Sequence, residues 1–210
     1  MIRSNSCTRG YCNGANRTRP VEAVRPRYTV RMGIKQKLSV EEYLALPEEK
    51  PYLEYVCGEA VPKPMPDRLH LAIVFEMIGV LYAYVKQHGG FAGPEGRSEF
   101  EDPDDPRFLL PDVSYWAPDR EVGDSLLTPP TLAVEVRSRD QSRRELQEKC
   151  RYYRTHGVDV AWLIDPYSRT AEVFEDEVDG ATVAEGGVLE SPALPGLRIP
   201  VGDLWAAIER

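Results

Sequence analysis

Leu132-Ala133-Val134-Glu135-Val136-Arg137 reads as a core strand with two distinct faces. Side chains alternate along extended backbone, so Leu132, Val134 and Val136 share one face and Glu135 and Arg137 the other. The strand spans Thr131 to Arg137. Downstream, Ser142 to His156 repeats Leu146, Cys150 and Tyr153 at helical spacing and stops at Gly157. Val160 to Ile164 follows as a further apolar strand that ends at Asp165-Pro166. Upstream, Leu109 to Trp116 is another strand, entered through a loop rich in Pro, Gly and Asp from Gly93 to Pro106. Before that loop, Leu69, Ile73, Met77, Leu81 and Val85 recur every four residues. They predict a long helix from Asp67 to His88, capped by Gly89-Gly90.

The flanks complete an α/β chain. Ser39-Val40-Glu41-Glu42 is a capping box for a short helix from Val40 to Leu46, closed by Pro47. Tyr52 to Val56 and Glu59 to Val61 form a hairpin turning at Cys57-Gly58. Thr170 to Glu175 and Ala181 to Leu189 read as an antiparallel C-terminal extension, and Val201 to Ile208 as a closing helix. The expected fold is a mixed sheet core flanked by helices, one domain over residues 39–210. Residues 1–34 are rich in Arg, Asn, Ser, Thr and Gly without apolar periodicity, and are expected to be disordered. A basic arm for nucleic acid is one reading of them. A translated upstream region with its start at Met32 is the other, favoured by the abrupt onset of the domain at Ser39.

Composition narrows the class. Hydrophobic residues make up 42% and charged ones 29%, as expected of a globular protein with a sizeable core. No apolar run is read as approaching the roughly 20 residues that cross a bilayer, and the first residues lack the apolar core of a secretory signal. Cys7, Cys12, Cys57 and Cys150 fall singly, which points to reduced thiols in a cytoplasmic protein rather than a zinc site or disulfide framework. Nine Lys/Arg and one acid stand in residues 1–37, leaving 17 basic and 33 acidic residues for the rest. A body with a charge of −16 argues against broad duplex binding, although carboxylates that hold a metal ion add to that count.

Chemistry concentrates on the central strands. Asp112 enters a strand of apolar and aromatic residues, where a buried carboxylate needs hydrogen bonds or a cation. Glu135 lies on the neighbouring strand. Two such acids point to a divalent metal, and ligation by oxygen alone suits Mg2+ or Mn2+. Lys149 lies about 60° from the centre of its helix's buried stripe, so its ammonium can reach the two acids and stabilise charge on a phosphoryl group. Arg137 can clamp a phosphate but cannot act as a base.

Pro111-Asp112, Glu135-Val136-Arg137-Ser138 and Leu146-Gln147-Glu148-Lys149 resemble the active-site motifs of the PD-(D/E)xK nucleases, with the lysine moved onto the following helix. Together with Tyr153, Gly157-Val158 and Trp162-Leu163-Ile164-Asp165-Pro166 they are similar to the signature of the Uma-two family of restriction-endonuclease-like proteins. Tyr55 to Gly58-Glu59, His70 and Leu194-Pro195-Gly196-Leu197 extend the resemblance over residues 39–208. It implies a restriction-endonuclease-like fold and a Mg2+-dependent endonuclease acting on DNA as a homodimer. It also implies Asp112 and Glu135 as ligands and Lys149 as the catalytic cation. Glu54 and the backbone carbonyl of Val136 are further candidate ligands. The chain departs from the family at Cys57, where Asp is commoner, and at Arg139-Asp140, where Pro-Ser is usual.

Each residue also has a plain reading. Asp112 alone is a strand-edge acid, Glu135 half of a surface pair with Arg137, Glu54 a solvent-facing hairpin acid, and Lys149 a snorkelling lysine. His70 packs near a helix N-terminus or serves as a ligand or base. The spacing of the set favours chemistry. Two other functions stay open: a catalytically silent binding module, and a metal-dependent hydrolase of a small phosphoester.

Overall fold

The computed structural model describes residues 36–123, 128–176 and 178–210. The basic segment 1–34 lies outside the described residues. In chain order the elements are β1 (Gln36–Lys37), α1 (Val40–Leu44), β2 (Leu53–Val56), β3 (Glu59–Pro62) and α2 (Arg68–His88). Next come β4 (Phe91–Pro94), β5 (Ser98–Phe100), β6 (Arg107–Leu109), β7 (Val113–Trp116), β8 (Leu132–Val136) and α3 (Arg143–Thr155). β9 (Val160–Asp165), β10 (Thr170–Glu175), β11 (Val178–Val183), β12 (Val188–Leu189), β13 (Ile199–Pro200) and α4 (Val201–Glu209) complete the chain.

A six-stranded mixed sheet of order β11-β10-β9-β8-β7-β4 forms the centre. Only β8 and β9 run parallel within it, joined by α3 as the crossover. Alternation on β8 divides the core. Leu132, Val134 and Val136 pack with Ile73, Met77 and Leu81 of α2 and Leu204 of α4. Ala133 packs on the other face with Leu146, Cys150 and Tyr153 of α3. Glu135 shares the α3 face by parity, and this puts it within reach of that helix. The antiparallel hairpin β10–β11 extends the sheet beyond β9, as expected for the C-terminal extension.

A smaller antiparallel sheet, β1-β3-β2-β6-β5, stands beside the first. Its core is aromatic: the rings of Tyr43, Tyr55 and Phe108 lie with centroids 5.2 to 6.0 Å apart. The capping box of α1 forms as read, with Ser39 and Glu42 exchanging bonds of 2.8 and 3.2 Å.

Several elements differ from the sequence reading. The strand expected over Leu109 to Trp116 is two strands in two sheets, because Pro111 has no N–H for a ladder. The loop read from Gly93 to Pro106 holds all of β5 and the end of β4, hidden by Gly, Pro and acidic residues. The strand expected at Ala181 to Leu189 divides at Gly186-Gly187, where Gly187 N–H donates to Ala184 O at 2.7 Å. One expectation is overturned. An 18-residue window of the 21-residue α2 has a mean hydropathy of 1.5, so by length and composition alone this helix could cross a bilayer. Its Ile73, Met77 and Leu81 are fully buried on the sheet, so α2 is a core helix here, while Leu71, Phe75 and Tyr82 face outward.

Candidate active site

The break between β6 and β7 builds the site. Leu110 belongs to neither ladder, and its buried peptide groups need partners. Its N–H donates to Glu54 Oε1 at 2.9 Å and its carbonyl accepts from Lys63 Nζ at 2.7 Å. Two residues on, Asp112 closes the end of the β7–β8 ladder: Oδ2 accepts from Val136 N–H at 2.8 Å. Its other oxygen, Oδ1, is 2.8 Å from Lys63 Nζ. Burial pushes the pKa of Asp112 up, but Lys63, His70 and the Val136 amide outweigh it and hold the carboxyl below its ordinary range.

Glu135 is treated differently. It is 1% exposed, and Oε1 takes a hydrogen bond of 2.7 Å from Tyr153 and lies 3.0 Å from Lys149 Nζ. Burial is the larger effect here and pushes its pKa up to about 7 in spite of the lysine. Lys149 in turn lies 2.7 Å from Glu54 Oε1. Burial opposes its charge, yet Glu135 and Glu54 keep the ammonium protonated above its ordinary range. A lysine held this way is a fixed cation, not a base.

Glu54, Asp112, Glu135 and Lys149 thus meet in one network, although they come from β2, the β7 entry, β8 and α3. His70 stands at its rim. Its Nδ1 is 2.9 Å from the Val136 carbonyl and 3.2 Å from Ser138 Oγ, and Nε2 is 3.7 Å from Asp112 Oδ1. The Val136 carbonyl expected to face a metal therefore already has an imidazole beside it. Arg137 is directed elsewhere: its guanidinium donates to Gln141 O at 2.9 Å and lies 3.2 Å from Asp165 Oδ2. Trp116 and Trp162 are core residues, as read.

Two participants were given no chemical role in the sequence reading. Tyr153 reads as a member of a helix stripe and of the family signature, and its hydroxyl bond to Glu135 shows what it does. Lys63 stands between Pro62 and Pro64 after a short strand, a setting that carries no chemical signal by itself.

Glu54 and Lys149 line a cleft of about 490 Å³ whose other walls include Arg107, Glu145, Glu148 and Arg151. Among the described residues, no three His, Cys, Asp or Glu side chains are arranged to share one ion. The carboxylates meet ammonium groups instead. Glu54, Asp112 and Glu135 offer oxygen donors, the type that a hard divalent cation takes.

A mixed sheet flanked by helices, entered by acids at β7 and β8, is the fold of a restriction-endonuclease-like protein. The structure is similar to a crystal structure from Anabaena variabilis ATCC 29413, described as a "putative nuclease belonging to DUF820". The two are 28% identical with a TM-score of 0.72, over 81% of this chain and 99% of that one. The chain belongs to the Uma2 family, whose model, described as "putative restriction endonuclease", matches residues 40–202. No curated protein matches.

Proposed function

We propose that this protein is a divalent-metal-dependent endonuclease of the cytoplasm that hydrolyses phosphodiester bonds in nucleic acid, DNA in particular. The observation that carries this reading is the network of Glu54, Asp112, Glu135 and Lys149, of which Glu54 and Lys149 line the cleft. Family membership supports the nuclease class. The free thiols of Cys57 and Cys150 are compatible with a reducing compartment.

Asp112, Glu135 and Glu54 would hold Mg2+ or Mn2+, and the Val136 carbonyl has a second lone pair to offer. A bound cation supplies Lewis acidity at the scissile phosphate. Lys149 stabilises negative charge as it grows on the phosphoryl oxygens, from a position fixed by two carboxylates. Tyr153 holds Glu135 in place from the core. His70 braces the end of β8 beside Asp112. Arg137 anchors the loop to α3 through Gln141 and Asp165 rather than reaching substrate. A homodimer would offer one such cleft to each strand of a duplex.

The test is cleavage of plasmid, single-stranded DNA and RNA with Mg2+ or Mn2+, wild type beside Asp112→Ala. Cutting of plasmid by the wild type alone supports the reading, and metal-independent cutting or none refutes it. A second reading, hydrolysis of a small phosphoester, draws on the cleft walls. Arg107, Lys149 and Arg151 line the cleft together with Glu54, Glu145 and Glu148, without the positive excess expected of a duplex groove. Turnover of a small phosphodiester with no cutting of polymer would favour it.

A further inference from the structure

Lys149 is the lysine that the motif spacing singles out, yet Lys63 is held in the same network just as firmly. Its ammonium donates 2.8 Å to Asp112 Oδ1 and 2.7 Å to Leu110 O, with the side chain 10% exposed. Buried lysines are rare without a partner, and here the partner is the acid that the sequence nominates as a metal ligand. The other oxygen of Asp112 is occupied by the Val136 amide. Both carboxylate oxygens therefore have donors, and the oxygen facing Lys63 is the one a cation would have to share or take over.

We propose that Lys63 is a built-in stand-in for the metal: a positioning residue that holds Asp112 oriented in the metal-free protein. The metal then binds in exchange for the Lys63–Asp112 bond. The inference rests on the metal-site reading above. It explains why the acids meet lysines rather than one another. It also makes Lys63 a tuner of metal affinity, since a fixed positive charge beside the site opposes a second one.

The experiment is a Mn2+ titration, followed by electron paramagnetic resonance of free Mn2+, of the full chain as wild type, Lys63→Met, Lys63→Gln and Lys63→Arg. Circular dichroism reports folding. Lys63→Met keeps the length of the side chain without its charge, and should bind Mn2+ at least about tenfold more tightly than wild type. Lys63→Arg should not. In EDTA, Lys63→Met should melt below wild type because Asp112 has lost its cation. The sign is diagnostic, because a lysine that only props up the fold would weaken metal binding when removed. Should Lys63→Met fail to fold, Lys63→Gln, whose amide can still donate to Leu110 O, carries the same expected gain. A folded neutral variant with wild-type or weaker Mn2+ affinity overturns the inference and leaves the metal site standing. Absence of Mn2+ binding in all four proteins overturns both.

Discussion

Lys149, on α3, holds its ammonium 2.7 Å from Glu54 Oε1, on a hairpin 95 residues earlier in the chain. The same ammonium is 3.0 Å from Glu135, so one cation ties the smaller sheet to the central one across the proposed catalytic centre. Structure and chemistry are therefore coupled at this residue, and its variants should separate the two.

Lys149→Ala should lower kcat by about 10²- to 10³-fold, with KM changing much less, because charge stabilisation is needed mainly in the transition state. Lys149→Arg should rescue poorly, since a planar guanidinium does not fit between two carboxylates placed for a compact ammonium. Single-turnover kinetics on plasmid would check both. Wild-type turnover in Lys149→Ala would place the chemistry elsewhere.

Glu135→Gln should abolish cleavage by removing a ligand charge while nearly keeping the shape. It should also change how stability depends on pH. Glu135 has a folded value of about 7, above its ordinary 4.5, so the protonated form is favoured by folding. Its contribution is complete below about 4.5 and is lost as pH rises through 7. In EDTA the wild type should therefore lose melting temperature between pH 5 and 8, and Glu135→Gln should lose less. Parallel melting curves for the two proteins would contradict this assignment.

Metal binding should be linked to the same proton. A cation on Glu135 requires the carboxylate, so Mg2+ binding at pH 6 should release a proton and its affinity should rise as pH approaches 7. Calorimetry in two buffers of different ionisation enthalpy measures the proton count directly. Equal heats in both buffers at pH 6 would refute the linkage.

Arg137→Ala should act on stability more than on turnover. The guanidinium faces Asp165, a carboxylate only 2% exposed, and its removal leaves that charge with backbone partners alone. A loss of about 1–3 kcal/mol is expected, several degrees in melting temperature, with kcat and KM close to wild type. A selective rise in KM would restore the role of phosphate clamp to Arg137.

A homodimer is expected of an enzyme that cuts both strands with a single small domain. Light scattering at high micromolar concentration should give twice the mass of one chain, and a monomer there would exclude it.

Periodicity made the layers readable from the sequence. The four-residue recurrence from Leu69 to Val85, the stripe of Leu146, Cys150 and Tyr153, and the apolar runs at 132–136 and 160–164 each have a local cause, and each became its expected element. The local motifs also led to Asp112, Glu135 and Lys149. Only the tertiary structure decided where Leu109 to Trp116 breaks, because Pro111 removes a ladder donor while Glu54 and Lys63, both distant in sequence, satisfy Leu110. It likewise drew in Lys63 and Tyr153 and turned Arg137 toward Asp165. Helical and strand periods are properties of neighbouring residues, and a sequence displays them directly. The partner of a buried charge is set by which surfaces pack together, and that is determined by the whole chain.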